Sequence, residues 1–111
     1  MPWTPLIDVA QLPPGRGVVV DRPGGALAVF VENGVPHVLE NTCPHRDGDL
    51  GEGHVVNGCV YCPLHAWPFD LRTGESPTHP LARVRVFPAR IEGGKVEAEL
   101  ENAQVESQGA R

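Results

Sequence analysis

A chain of 111 residues, 41% hydrophobic and 21% charged, is long enough for one domain with its own core and too short for two. Its net charge of −5 argues against a nucleic-acid partner, which requires a basic face, and its apolar runs are too short to span a membrane. Thirteen glycines and twelve prolines, scattered between those runs, exclude long helices and punctuate many short strands.

The opening Met-Pro-Trp-Thr-Pro carries no charged-then-apolar leader, so neither secretion nor membrane insertion is signalled. Period-two alternation and short apolar runs predict strands over 3–7, 17–20, 27–31, 35–39, 54–56, 59–61, 67–70, 84–87 and 96–100. A helical turn is expected near 8–11, capped by Asp8. Between the strands, Pro23-Gly24-Gly25, Asn33-Gly34, Asn57-Gly58 and Gly93-Gly94 offer positive-φ turn positions. Beyond Glu101 the pattern disappears, which predicts a frayed tail over 101–111. The expectation is one all-β domain over 1–100.

Three cysteines are too few for a disulfide scaffold and suit a reducing cytoplasm, so ligation is the use to look for. Cys43-Pro44-His45 follows a predicted strand, and Cys62-Pro63-Leu64-His65 follows after sixteen intervening residues. Each short loop thus offers one thiolate and one imidazole, and the proline after each cysteine stiffens it. In a Rieske [2Fe–2S] centre two cysteines hold one iron and two histidines the other. Two thiolates leave the oxidised cluster neutral, whereas four would make it negative and harder to reduce. The competing reading is a structural Cys₂His₂ zinc site in an interaction module. Zinc sites more often pair like ligands close in sequence, and here each loop mixes them.

Other polar residues weigh towards ordinary roles. Cys59 reads as a small buried hydrophobe, and His37 and His54 as sheet or surface histidines. Asp47, Asp49 and Glu52 form either a solvated turn or a patch steering a basic partner. Arg83, Arg85 and Arg90 read as solubilising charges near an edge strand.

The stretch Cys43-Pro44-His45-Arg46-Asp47-Gly48-Asp49-Leu50-Gly51-Glu52-Gly53 resembles the first cluster loop of bacterial Rieske-type ferredoxins. Cys62-Pro63-Leu64-His65-Ala66-Trp67-Pro68-Phe69-Asp70-Leu71-Arg72-Thr73-Gly74 resembles the second. The wording is similar to ferredoxin components of ring-hydroxylating dioxygenases and to small subunits of NAD(P)H-dependent nitrite reductases. The resemblance implies an antiparallel β-sandwich or barrel with a small inserted cluster-binding subdomain, about 41–80. It also implies one [2Fe–2S] cluster, its inner iron on Cys43 and Cys62 and its outer iron on His45 and His65.

The chain would then be a one-electron carrier between a flavin reductase and a terminal oxygenase, with catalysis left to the partner. The alternative is a permanent complex with a nitrite reductase large subunit. No Gly-rich dinucleotide fingerprint is present, so the reductase would be a separate protein. Where the respiratory branch of the family has a loop-to-loop disulfide, this sequence has Gly48 and Leu64. Where that branch has hydroxyls, it has Trp67 and Phe69, which implies a low potential. The Pro-rich stretch 76–81 resembles the family's cover loop, which sets a docking-surface role for His79 against the plainer reading of a solvated loop histidine.

Overall fold

The computed structural model describes residues 3–13, 15–43, 48–64 and 66–100. Among these, the strands are β1 (Thr4–Asp8), β2 (Val18–Val20), β3 (Leu27–Glu32), β4 (Val35–Glu40) and β5 (His54–Val56). They continue with β6 (Cys59–Tyr61), β7 (Pro68–Asp70), β8 (Val86–Phe87), β9 (Ala89–Glu92) and β10 (Lys95–Ala98). Three antiparallel sheets result, ordered β1-β10-β9, β2-β3-β4-β8 and β5-β6-β7. Single 3-10 turns lie at Val9–Gln11 and Leu50–Glu52.

Strand β3 explains how the sheets stack. Successive side chains of a strand point to opposite faces. Leu27 and Val29 enter a core with Val38, Phe87, Val96 and Ala98, beneath the β1-β10-β9 sheet. Ala28 and Phe30 enter a second core with Leu39, Val60, Phe69 and both Cys43 and Cys62. The central sheet is therefore covered on both sides, which is why residues 27–30 are one unbroken apolar run. The small β5-β6-β7 sheet is the added layer, and the cysteines lie where it meets the central sheet.

The Asn-Gly turns behave as their chemistry predicts. Asn57 and Gly58 adopt φ of 51° and 80°, closing the β5–β6 hairpin with the twist that flanking strands require. Three details depart from expectation. Asp8 makes no capping bond to the turn after it; its carboxylate accepts from Lys95 Nζ at 2.6 Å, tying β1 to β10. The strand expected over 84–87 shortens to β8. Val84 donates instead to the Gly74 carbonyl at 2.9 Å, and Arg85 N–H to the Glu40 carboxylate at 3.0 Å. Strand β9 has no counterpart among the expected strands; it is largely exposed and half charged, so it carries no apolar run. The tail expected over 101–111 lies outside the described residues.

Candidate metal centre

The first loop leaves β4 through Asn41-Thr42-Cys43 and returns at Gly48-Asp49. Cys43 N–H donates to the Gly48 carbonyl at 2.9 Å, Thr42 bridges Asp49, and Leu50 N–H donates to the Asn41 carbonyl at 2.8 Å. These bonds close the neck of the loop and hold Cys43 at its edge. The second loop links β6 to β7. Cys62 N–H donates to the Trp67 carbonyl at 2.9 Å, and Ala66 N–H donates back to the Cys62 carbonyl at 2.9 Å. Ala66 sits in the left-handed region with φ 57°, an arrangement that costs a non-glycine residue about 1–2 kcal/mol. Strain of that kind gathers at sites where the surrounding structure dictates the backbone.

The two loops bring Cys43 and Cys62 together. Both are buried, their side chains hydrogen-bond to each other, and none of the three cysteines is in a disulfide. Burial pushes the Cys62 thiol above its ordinary value, and the Cys43 sulfur pushes the same way against the opposing Leu64 N–H. A metal bound here must displace thiol protons. Gly48 is pressed against this pair. A methyl at Gly48 would lie 2.7 Å from Cys62 Sγ and 3.3 Å from Leu64 Cγ. Gly48 and Leu64 are thus neighbours across the loops. Two adjacent buried sulfurs in a cradle with no room for a methyl form a donor set that fits a thiolate-bound iron. His45, His65 and Asp47 lie outside the described residues.

The residues after the second loop show why their wording is so specific. Asp70 Oδ1 accepts from the N–H of Arg72 at 2.7 Å and of Thr73 at 3.3 Å, forming an Asx turn. Gly74 continues it at φ 78°, its N–H donating to the Asp70 carbonyl at 2.8 Å. This turn carries the chain into the 76–82 segment, pinned by Ser76 N–H to the Ala82 carbonyl at 3.2 Å. That segment lies against the second loop: the rings of His79 and Trp67 stack at 3.5 Å between centroids, 8° from parallel. His79 Nδ1 bonds Thr78 Oγ1 at 2.8 Å, and its N–H donates to buried Ser76 Oγ at 3.2 Å. Leu64 and Leu81 are exposed beside this stack's two segments, Leu81 completely.

The remaining candidates take quieter places. Cys59 is half-buried in β6, and its thiol is pushed up by burial first and then by Asp70 and Glu32. His37 is half-buried in β4 and donates to the Leu71 backbone; burial lowers its pKa, with Glu32 opposing. His54 is exposed on β5 and bridges Arg16. Asp49 accepts from Asn41 Nδ2 at 2.7 Å, so its carboxylate has a structural partner, while Glu52 is exposed. Arg83 pairs with Glu75 at 3.0 Å, and Arg90 pairs with Glu97 at 2.8 Å while lying 4.4 Å over the Trp3 ring. An open cleft of about 1040 Å³, lined by His37, Glu40, Arg72, Arg83 and Arg85 among others, includes neither Cys43 nor Cys62.

Comparison with known proteins follows the same lines. The model of the Rieske [2Fe–2S] domain matches residues 2–88. The anthranilate 1,2-dioxygenase ferredoxin subunit of Burkholderia cepacia is 35% identical over 102 residues, covering 88% of this chain and 92% of that protein. The ferredoxin of Sphingomonas yanoikuyae B1 superposes with a TM-score of 0.79 at 30% identity, covering 88% of this chain and 98% of the other. A protein of Mycobacterium tuberculosis, assigned as an NADH-dependent nitrite reductase small subunit, superposes equally well, at 0.79 and 28% identity, covering 87% and 93%.

Proposed function

This chain belongs to the Rieske [2Fe–2S] domain family, and we propose that it is a ferredoxin passing single electrons from a flavin reductase to a terminal oxygenase in the cytoplasm. The observation that carries this reading is the meeting of Cys43 and Cys62, buried and adjacent, at the ends of two loops that each contain a histidine. On this reading the domain spans 1–100 and its cluster-binding part about 41–80. Cys43 and Cys62 would hold one iron of the cluster, and His45 and His65 the other. When bound, the cluster supplies one-electron chemistry that no side chain here can supply.

The chain's own residues place and insulate that group. Leu50, Val60, Phe69, Leu71 and Val84 share the core with the cysteines and exclude water from the sulfur side. The Leu64 N–H donates to the Cys62 sulfur. Phe69 is buried and offers no hydroxyl, nor does Trp67; fewer donors to the sulfurs keep the potential towards the low end for Rieske centres. Among the described residues no helix is long and apolar enough to cross a membrane.

Likeness to the nitrite reductase small subunit supports a second reading, in which the chain is a fixed subunit of a sirohaem enzyme. Affinity purification from the native cell followed by anaerobic mixing with NADH separates the two. A free carrier reduced through a separate flavoprotein, and reoxidised by an oxygenase, is the expected result. A stoichiometric complex with a large sirohaem subunit would replace the first reading by the second.

A further inference from the structure

Asn41 is a buried polar residue to which the electron-carrier reading assigns no task. It lies just beyond β4, two residues before Cys43, and every hydrogen-bonding group it possesses is used. Its backbone N–H donates to the Ala26 carbonyl at 3.1 Å, and its carbonyl accepts from Leu50 N–H at 2.8 Å. Its side chain bonds in both senses at once. Nδ2 donates to Asp49 Oδ1 at 2.7 Å, and Oδ1 accepts from Gly51 N–H at 2.8 Å. A methyl on Gly51 would lie 3.1 Å from Asn41 Oδ1 and 2.7 Å from Val19 Cγ2, so glycine is needed for the amide to reach that N–H.

We infer that Asn41 is a positioning residue for the centre: its carboxamide clamps the two ends of the first ligand loop and so sets where Cys43 meets Cys62. The inference rests on the reading of these cysteines as cluster ligands. The backbone bonds at the neck hold the loop ends together at Cys43–Gly48 and Asn41–Leu50. The side chain adds bonds to the residues on either side of Leu50, which locks rotation about that neck. Asparagine suits the position because one end must donate and the other accept. Aspartate keeps the acceptor for Gly51 but sets a carboxylate against that of Asp49. Leucine leaves the buried Gly51 N–H unsatisfied, which is costly, and returns the exposed Asp49 carboxylate to water.

The experiment compares wild type with Asn41→Asp, Asp49→Asn and the double exchange, in the full chain. It reads loss of cluster absorbance under a fixed excess of an iron chelator, the EPR spectrum of the reduced protein, and melting of the metal-free protein. Asn41→Asp should lose iron about 10- to 100-fold faster, the scale of losing a half-buried hydrogen bond to a charged group and setting two carboxylates together. Asp49→Asn preserves an amide acceptor and should stay within about fivefold of wild type. The double exchange restores a donor at 49 facing an acceptor at 41 and should recover slow iron loss and the wild-type spectrum. If Asn41→Asp does not fold, recovery of folded, cluster-bearing protein in the double exchange makes the same point. Iron loss from Asn41→Asp within twofold of wild type, or a double exchange no better than the single, overturns the clamp. A wild type lacking iron and sulfide fails the ligand reading instead; the clamp is then read from melting alone, where the single aspartate variant must melt lowest.

Discussion

Replacing Gly48 by alanine tests the cysteine site at its tightest point. The new methyl would lie 2.7 Å from Cys62 Sγ, against about 3.5–4.0 Å for a relaxed contact, so one side must move by about 1 Å. Neither side yields freely. Cys62 is buried with its N–H held by the Trp67 carbonyl, and the Gly48 carbonyl holds the Cys43 N–H. Overpacking of this kind costs about 1–3 kcal/mol. At about 4–8 °C per kcal/mol, the metal-free protein should melt visibly earlier. Because the displaced atom is a proposed ligand, iron retention against a chelator should fall by about 5- to 150-fold, the same energy expressed as an equilibrium. Gly58→Ala is the control. Its methyl meets open space, and its φ of 80° costs about 1–2 kcal/mol of strain at the β5–β6 turn, outside both ligand loops. It should lower the melting temperature and leave iron retention alone. A Gly48→Ala protein that keeps its iron as wild type does, with an unchanged EPR spectrum, would refute the cradle.

Gly74→Ala combines a left-handed φ of 78° with a methyl driven into the Val84 carbonyl, and should destabilise the fold by about 3 kcal/mol in denaturant titration. His79→Ala removes the ring stacked on Trp67, worth about 0.5–1.5 kcal/mol, and should shift tryptophan emission to longer wavelength. His79→Phe keeps an aromatic face there and should not shift it. For His37, burial lowers the folded-state pKa below the unfolded value of 6.5, so the unfolded chain binds the proton first as pH falls. Its contribution is therefore intact above pH 6.5 and declines as pH drops from there towards the lowered folded value. Urea titrations across that window should show a shallower slope in His37→Gln than in wild type.

What could be read from the sequence was local. Cys43 and Cys62 are marked by short loops with fixed spacing, and Asn57-Gly58 by a turn whose φ values few other pairs adopt. The Phe-Asp-Leu-Arg-Thr-Gly wording was visible, but its cause, an Asx turn on Asp70, needed the backbone. What stayed hidden depends on partners distant in the chain. Asn41 bonds residues eight and ten positions on, and nothing in its neighbours marks it as buried. Asp49 reads in the sequence as part of a solvated turn or a steering patch because its surroundings are acidic; its bond to the Asn41 amide shows only in the fold. Strand β9 leaves no mark in the sequence because an exposed strand paired at one edge shows charges rather than an apolar pattern.

Iron and acid-labile sulfide measured on anaerobically purified protein, with EPR of the dithionite-reduced sample, test the central claim most directly. A red-brown protein with two irons and two sulfides per chain, and one unpaired electron on reduction, is the expected result. A colourless protein with one zinc and no sulfide would contradict it.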